Sequence, residues 1–149
     1  MRRARVPRSK ATNAFDLLND VVAVIREEPR RIYMPMWFVH GLDELRKVFG
    51  RRKRPACGTA ACVAGWVIVL REGIDAMPDD HDDIPGRARQ ILGITPGEEA
   101  GLFNGQVFND RARLVKPFQP GYADLVIDRI RKFQGRYEDR LRRRTLPVD

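Results

Sequence analysis

Two cysteines and two histidines are the side chains of this chain whose types most directly carry chemistry. Cys57 and Cys62 flank Gly58-Thr59-Ala60-Ala61, at the head of a run without charge that extends from Ala60 to Leu70. A thiol placed just before a helix start feels the positive end of the helix dipole, which lowers its pKa and favours the nucleophilic thiolate. Such a nucleophile needs a base, and the only two histidines are His40 and His81. Aspartates bracket His81 and are placed to orient its ring, so Cys57 with His81 and Asp82 or Asp83 is the candidate for covalent catalysis. The same residues also read as structure: Cys62 as a small core residue, and Cys57 as a packed residue at a tight turn that needs Gly58. A cysteine and a histidine without a family signature do not define a protease or transferase. The structural reading is preferred, and an enzyme is not expected.

Two Cys and two His are the right number for zinc, but Cys-x4-Cys with single histidines at 40 and 81 is not a zinc-ligand spacing. Asp79, Asp80, Asp82 and Asp83 are dense enough to suggest calcium. They lack the alternating ligands and the distal glutamate of an EF-hand loop, so a solvated acidic loop is expected instead. Neither a metal nor a cofactor is expected.

Charge is the stronger functional signal. The chain has 149 residues, with 28 Lys and Arg against 20 Asp and Glu, a formal net charge of +8. The positive residues concentrate at residues 2–10, 51–54 and 136–144. Clusters of this kind bind phosphates by releasing counterions, and arginine adds bidentate geometry. Arg51, Arg52, Lys53 and Arg54, together with Arg140, Arg142, Arg143 and Arg144, are the expected contacts to nucleic acid or a nucleoprotein assembly. Tyr33, Trp37 and Tyr137 are candidates for stacking on bases, although their spacing also suits a core. No helix-turn-helix, zinc-finger or RNP signature is present, so contact independent of base sequence is expected. The competing readings are an effector that blocks a host protein through an acidic patch, a Cys57-dependent enzyme, and a subunit of a larger particle.

The elements that must position these residues are mostly helical. Hydrophobic residues make up 43% of the chain, enough for a packed core in a single domain. Phe15, Leu18, Val22 and Ile25 recur at helical spacing behind a cap at Thr12 or Asn13, and Pro29 ends that helix. Residues 30–41 are apolar with Pro35 in the middle, which suits a buried connector or short strand. Leu42, Leu45, Val48 and Phe49 predict a short amphipathic helix ending at Gly50. The uncharged run predicts a helix over residues 59–72 that is apolar on every side and therefore buried, with Thr59 as N-cap and Gly73 just past its end. It is too short to span a bilayer. Asp83 and Pro85 read as the N-cap region and first turn of another helix, which carries Ala88, Ile91 and Leu92 and stops at Gly93. Thr95-Pro96-Gly97-Glu98 is a capping box with Pro at the first helical position. Residues 106–120 read as irregular, holding Phe108, Leu114, Val115 and Phe118. A long closing helix runs from about residue 121 to residue 141. The expectation is a mainly α, single compact helical domain built around the central helix at 59–72. A basic flexible arm covers residues 1–12, the domain residues 13–141, and a basic tail residues 142–149. The basic N-terminus is followed by no apolar stretch, so no signal peptide is expected and a cytoplasmic location without membrane attachment follows.

Cys57, Gly58, Thr59, Cys62, Ala64, Gly65 and Trp66 form a Cys-Gly-Thr-x-x-Cys-x-Ala-Gly-Trp stretch. Downstream stand Ala88, Leu92, Gly93 and Ile94, then Glu98, Leu102 and Phe103, and a helix over residues 123–133. In this pattern the chain resembles a group of small uncharacterised bacterial and phage-encoded proteins. Gly105-Gln106-Val107-Phe108 stands where that group often has Trp-Pro. The resemblance implies a helical domain and no particular activity.

Overall fold

The computed structural model describes residues 6–50 and 59–146. Among them are seven α-helices and one two-stranded antiparallel sheet, so the protein is mainly helical. Helix α1, Ala14–Glu27, starts at Asn13, whose side-chain oxygen accepts the Asp16 backbone N–H at 2.8 Å. Its Leu17, Leu18, Val21, Val22 and Ile25 are fully buried, as their spacing requires. Pro29 begins a single 3-10 turn, Pro29–Arg31, and the connector then enters strand β1, Phe38–His40. Helix α2, Leu42–Phe49, follows and ends at Gly50.

The expected central helix is shorter than its apolar run. Thr59–Ala61 is a strand, β2, paired antiparallel with β1 in the register Phe38 to Ala61, Val39 to Ala60 and His40 to Thr59. Helix α3 then spans Val63–Glu72, with Cys62 rather than Thr59 at its N-cap. A continuous apolar run does not distinguish a buried strand from a buried helix. Here the backbone groups of residues 59–61 bond across to the connector, and the Tyr33 N–H donates to the Ala61 carbonyl at 2.9 Å. The expected burial is complete: Val63 through Leu70 are all buried. Gly73 stands past the helix end with φ +92°, where a side chain would be strained.

Helix α3 packs against both α1 and helix α4, Ile84–Leu92. Gly93 leaves α4 in the left-handed conformation, and Thr95 opens helix α5, Pro96–Phe103, through the expected capping box. In that box the Glu98 carboxylate accepts the Thr95 backbone N–H at 2.8 Å. An ion pair of 3.1 Å between Arg89 and Glu99 ties α4 to α5.

The closing helix is two helices, α6, Tyr122–Arg136, and α7, Glu138–Arg143, separated at Tyr137. The break lets α7 turn back onto the start of α1. Leu141 is buried there, the Ala14 N–H donates to the Arg144 carbonyl at 3.0 Å, and the Leu146 N–H donates to Thr12 at 2.9 Å. The helical spacing from Tyr122 to Leu141 runs through this break because Tyr137 still packs its ring on Phe133, 4.8 Å between centroids.

Residues 6–12, expected as part of a free arm, lie against the body. The Ser9 N–H donates to the Leu70 carbonyl at 2.8 Å, its hydroxyl donates to Asp20, and Arg8 donates to the Arg71 carbonyl at 2.6 Å. The bonds to Leu70 and Arg71 satisfy carbonyls in the last turn of α3, where helix carbonyls lack intrahelical partners. Residues 142–146, expected as a free tail, are likewise docked as far as Leu146. No helix among the described residues is long and apolar enough to cross a membrane.

Candidate functional site

Cys57, Arg51, Arg52, Lys53 and Arg54 lie outside the described residues. The other expected residues are placed as follows. His81 and Asp83 are both exposed, on a 3-10 turn spanning His81–Asp83 whose Asp82 N–H is capped by the Asp80 side chain. Among the described residues no enclosed acid-base pair forms around His81. Among the described residues no three His, Cys, Asp or Glu side chains group to hold a metal. Cys62 is a fully buried thiol, pushed up to about 12 by desolvation against which the α3 N-terminal N–H groups act only weakly. Its Sγ donates to the Trp37 carbonyl at 3.6 Å. Burial wins over the helix dipole here, and Cys62 is a core residue, as the structural reading expects.

His40 is also exposed, at the end of β1, but its ring has partners. Its Nδ1 lies 2.7 Å from the hydroxyl of buried Thr59, and its ring stacks on Phe38. A cleft of about 280 Å³ opens beside this pair, with Arg8, Trp66, Ile74 and Asp75 on its other walls. Arg8 already donates to a carbonyl and Trp66 is fully buried, so the cleft offers few free polar atoms to a ligand.

Three of the four C-terminal arginines are committed to the fold. Arg140 pairs with Glu98 and lies 4.8 Å above the Tyr137 ring. Arg142 pairs with Glu138 at 3.0 Å and stacks 3.7 Å over the Phe15 ring. Arg144 donates to the Gln90 carbonyl at 2.6 Å and to the Ile91 carbonyl at 3.4 Å, closing the C-terminal end of α4. Arg143 is exposed and makes no ion pair among the described residues. These arginines therefore do not form one open cluster. Tyr33 and Tyr137 are likewise used in packing, Tyr33 against Phe49 and Phe118.

Residues 104–121 hold no helix or strand, as the irregular reading of 106–120 expects, and within them a single antiparallel bridge closes residues 107–115 into a small hairpin loop. The Val115 N–H donates to Val107 at 2.7 Å and the Asn109 N–H donates to Arg113 at 3.0 Å, with Phe108 and Leu114 bridged between them. The tip is held by the Asn109 side-chain oxygen, which accepts the backbone N–H groups of Arg111 at 2.9 Å and Arg113 at 3.1 Å, and by Ala112 at φ +57°. Buried Val107 anchors the base. Arg129 on α6 reinforces it by donating to the Asn104 and Gln106 carbonyls, the latter at 2.6 Å. Desolvation lowers the Arg129 pKa from its ordinary value, yet the two carbonyls keep the guanidinium partnered.

The outer side of this hairpin is unusual. Phe108 is 48% and Leu114 50% exposed, the two exposed large apolar side chains among the described residues. Arg111, Arg113 and Lys116, their neighbours in the sequence, are exposed, and none forms an ion pair among the described residues. Asp110 is the single acid of the hairpin. The sequence signal was present: apolar residues at 107–108 and 114–115 flank Asn109-Asp110, a turn former.

No protein-family model matches the chain, and no curated protein and no solved structure matches it either.

Proposed function

We propose that this is a small basic binding protein that associates with nucleic acid, or with a nucleoprotein assembly, through phosphate contacts independent of base sequence. One observation carries this reading: the hairpin loop at residues 107–115 and Lys116 after it hold three exposed cations that make no ion pair among the described residues, on a base that Arg129 holds by hydrogen bonds. A cation already paired with a carboxylate must break that pair to reach a phosphate. An unpaired one gains the full counterion-release benefit. Lys10, Arg26, Arg46 and Arg143 are also exposed with no ion pair among the described residues, and Arg111, Arg113 and Lys116 lead because they are close together in the sequence on one loop. Arg140, Arg142 and Arg144 act mainly in holding the fold. Arg51, Arg52, Lys53 and Arg54 remain in the proposal on sequence alone, through the charge of +8 to which they contribute.

The test is a titration of the full chain into labelled nucleic acid at several salt concentrations. Binding that weakens steeply with salt supports the reading, and absence of binding at low salt overturns it. Capture of an acidic protein with no affinity for nucleic acid would replace it with the effector reading.

A further inference from the structure

We infer that the hairpin at residues 107–115 selects single-stranded nucleic acid, with Phe108 and Leu114 forming a platform on which an unpaired base stacks. The inference rests on the phosphate-binding reading and adds to it the part of the ligand that the apolar pair recognises.

The geometry begins with the ladder. Its two hydrogen bonds flank the 108–114 bridge, so Phe108 and Leu114 form a non-hydrogen-bonded pair. In such a pair the Cα atoms approach to about 4.5 Å, and both side chains stand on the same face. Alternation sends Val107 to the other face, where it is buried against the core. Outward positions of a solvated hairpin ordinarily carry polar residues. This one carries an aromatic ring and a leucine, each about half exposed, side by side.

The tip is prepared rather than loose. Asn109 fixes two backbone N–H groups and Arg129 clamps the chain before the hairpin, so little order has to be gained on binding. Arg111 and Arg113 lie at the turn and Lys116 two residues after Leu114. By the same alternation Lys116 shares the face of Phe108 and Leu114, Arg111 lies at the turn and Arg113 falls on the opposite face. A strand whose base rests on Phe108 thus brings its neighbouring phosphates toward Lys116 and the turn.

Size and chemistry favour this occupant over a protein. A stable protein interface buries about 1,200 Å² or more, and two half-exposed side chains supply only a small part of that. One base needs only one ring, and stacking on an aromatic side chain contributes appreciably per base. A duplex offers no free base face along its length, and opening one costs unstacking energy. An unpaired strand is therefore preferred.

The experiment compares a labelled oligothymidylate with a mixed-sequence duplex of the same length, at one salt concentration, for the full chain and for Phe108→Ala, Leu114→Ala, Phe108→Tyr and Arg111→Ala. The expected result is tighter binding of the single strand and a loss of about 10- to 100-fold in Phe108→Ala. Leu114→Ala should lose less, and Phe108→Tyr should keep most of the affinity. Duplex affinity should change little in the Phe108 variants and fall in Arg111→Ala. Equal affinity for both probes, with Phe108→Ala unchanged and Arg111→Ala weakened, overturns the stacking inference and leaves phosphate binding standing. No binding of either probe at low salt overturns both. A drop in melting temperature of Phe108→Ala with no change in single-strand affinity also overturns the inference, since it would make Phe108 a packing residue.

Discussion

Trp66 donates its indole N–H to the carbonyl oxygen of Arg31 at 2.8 Å, joining α3 to the connector that leaves α1. Both partners are buried. The Arg31 guanidinium turns back to the Val24 carbonyl at 3.2 Å and toward Glu27 and Glu28 at 3.5 and 3.7 Å. The contact therefore links three segments through one residue pair. Trp66→Phe removes the donor and leaves a buried carbonyl unsatisfied, at an expected cost of about 1–3 kcal/mol. Chemical denaturation monitored by circular dichroism measures it. Unchanged stability would show that the hydrogen bond contributes nothing.

Gly65 sits where the connector crosses α3. A Cβ at this position would lie 2.1 Å from the Trp37 carbonyl oxygen and 2.7 Å from the Ala61 Cβ. The first obstacle is backbone and belongs to the segment just before β1, so it cannot swing aside. Gly65→Ala is expected to destabilise by about 1–3 kcal/mol or more, as overpacking does. A melting temperature equal to that of the parent chain would contradict this crossing.

These two residues also show how far the sequence can be read. The helix content, the caps at Asn13, Gly73, Gly93 and Thr95, and the burial of Val63 to Leu70 follow from periodicity and local chemistry. What approaches Gly65 does not: small residues announce a close neighbour, and only the fold shows it to be a backbone carbonyl rather than a helix. Residues 59–61 were ambiguous because apolar runs look alike in buried strands and helices. The candidate site was the least legible. A run of arginines reads the same whether each guanidinium faces water or, like Arg144, caps the last turn of α4. Phe108 and Leu114 read as core by type, and their exposure depends on which face of the hairpin meets α6.

The docked N-terminal residues give a further prediction. Deleting residues 1–11 removes the Ser9 bond to Leu70, the Ser9 bond to Asp20, the Arg8 bond to Arg71 and the packing of Val6 on the core. Each partly exposed bond of this type contributes about 0.5–1.5 kcal/mol. The shortened chain should melt several degrees below the parent. An identical melting temperature would mean that this segment is a free arm.

Glu98 links the capping box of α5 to α7. Desolvation is the largest single influence on its carboxyl and acts upward. Hydrogen bonds from Arg140 and Thr95, with the Arg140 charge, together outweigh it and hold the pKa below the usual glutamate range. The folded pKa is depressed, so this carboxylate stabilises the fold above the unfolded value near about 4.3. That contribution is lost as pH falls through the folded pKa. Arg140→Ala should raise the Glu98 pKa and move the acid limb of the stability profile to higher pH. Carboxyl NMR titration reads the first effect directly, and an unmoved Glu98 titration would contradict the pairing.

The most direct test of nucleic-acid binding is the salt dependence of affinity, measured by anisotropy with labelled single-stranded DNA for the full chain and for Arg111→Ala, Arg113→Ala and Lys116→Ala. The predicted result is a logarithm of affinity that falls linearly with the logarithm of salt, with a slope shallower by about 0.7 for each phosphate-contacting cation removed. Arg144→Ala should leave the slope alone while lowering thermal stability, because its guanidinium is spent on the α4 carbonyls. No binding at low salt, or a slope unaffected by all three hairpin substitutions, would contradict the assignment of this hairpin as the phosphate-binding element.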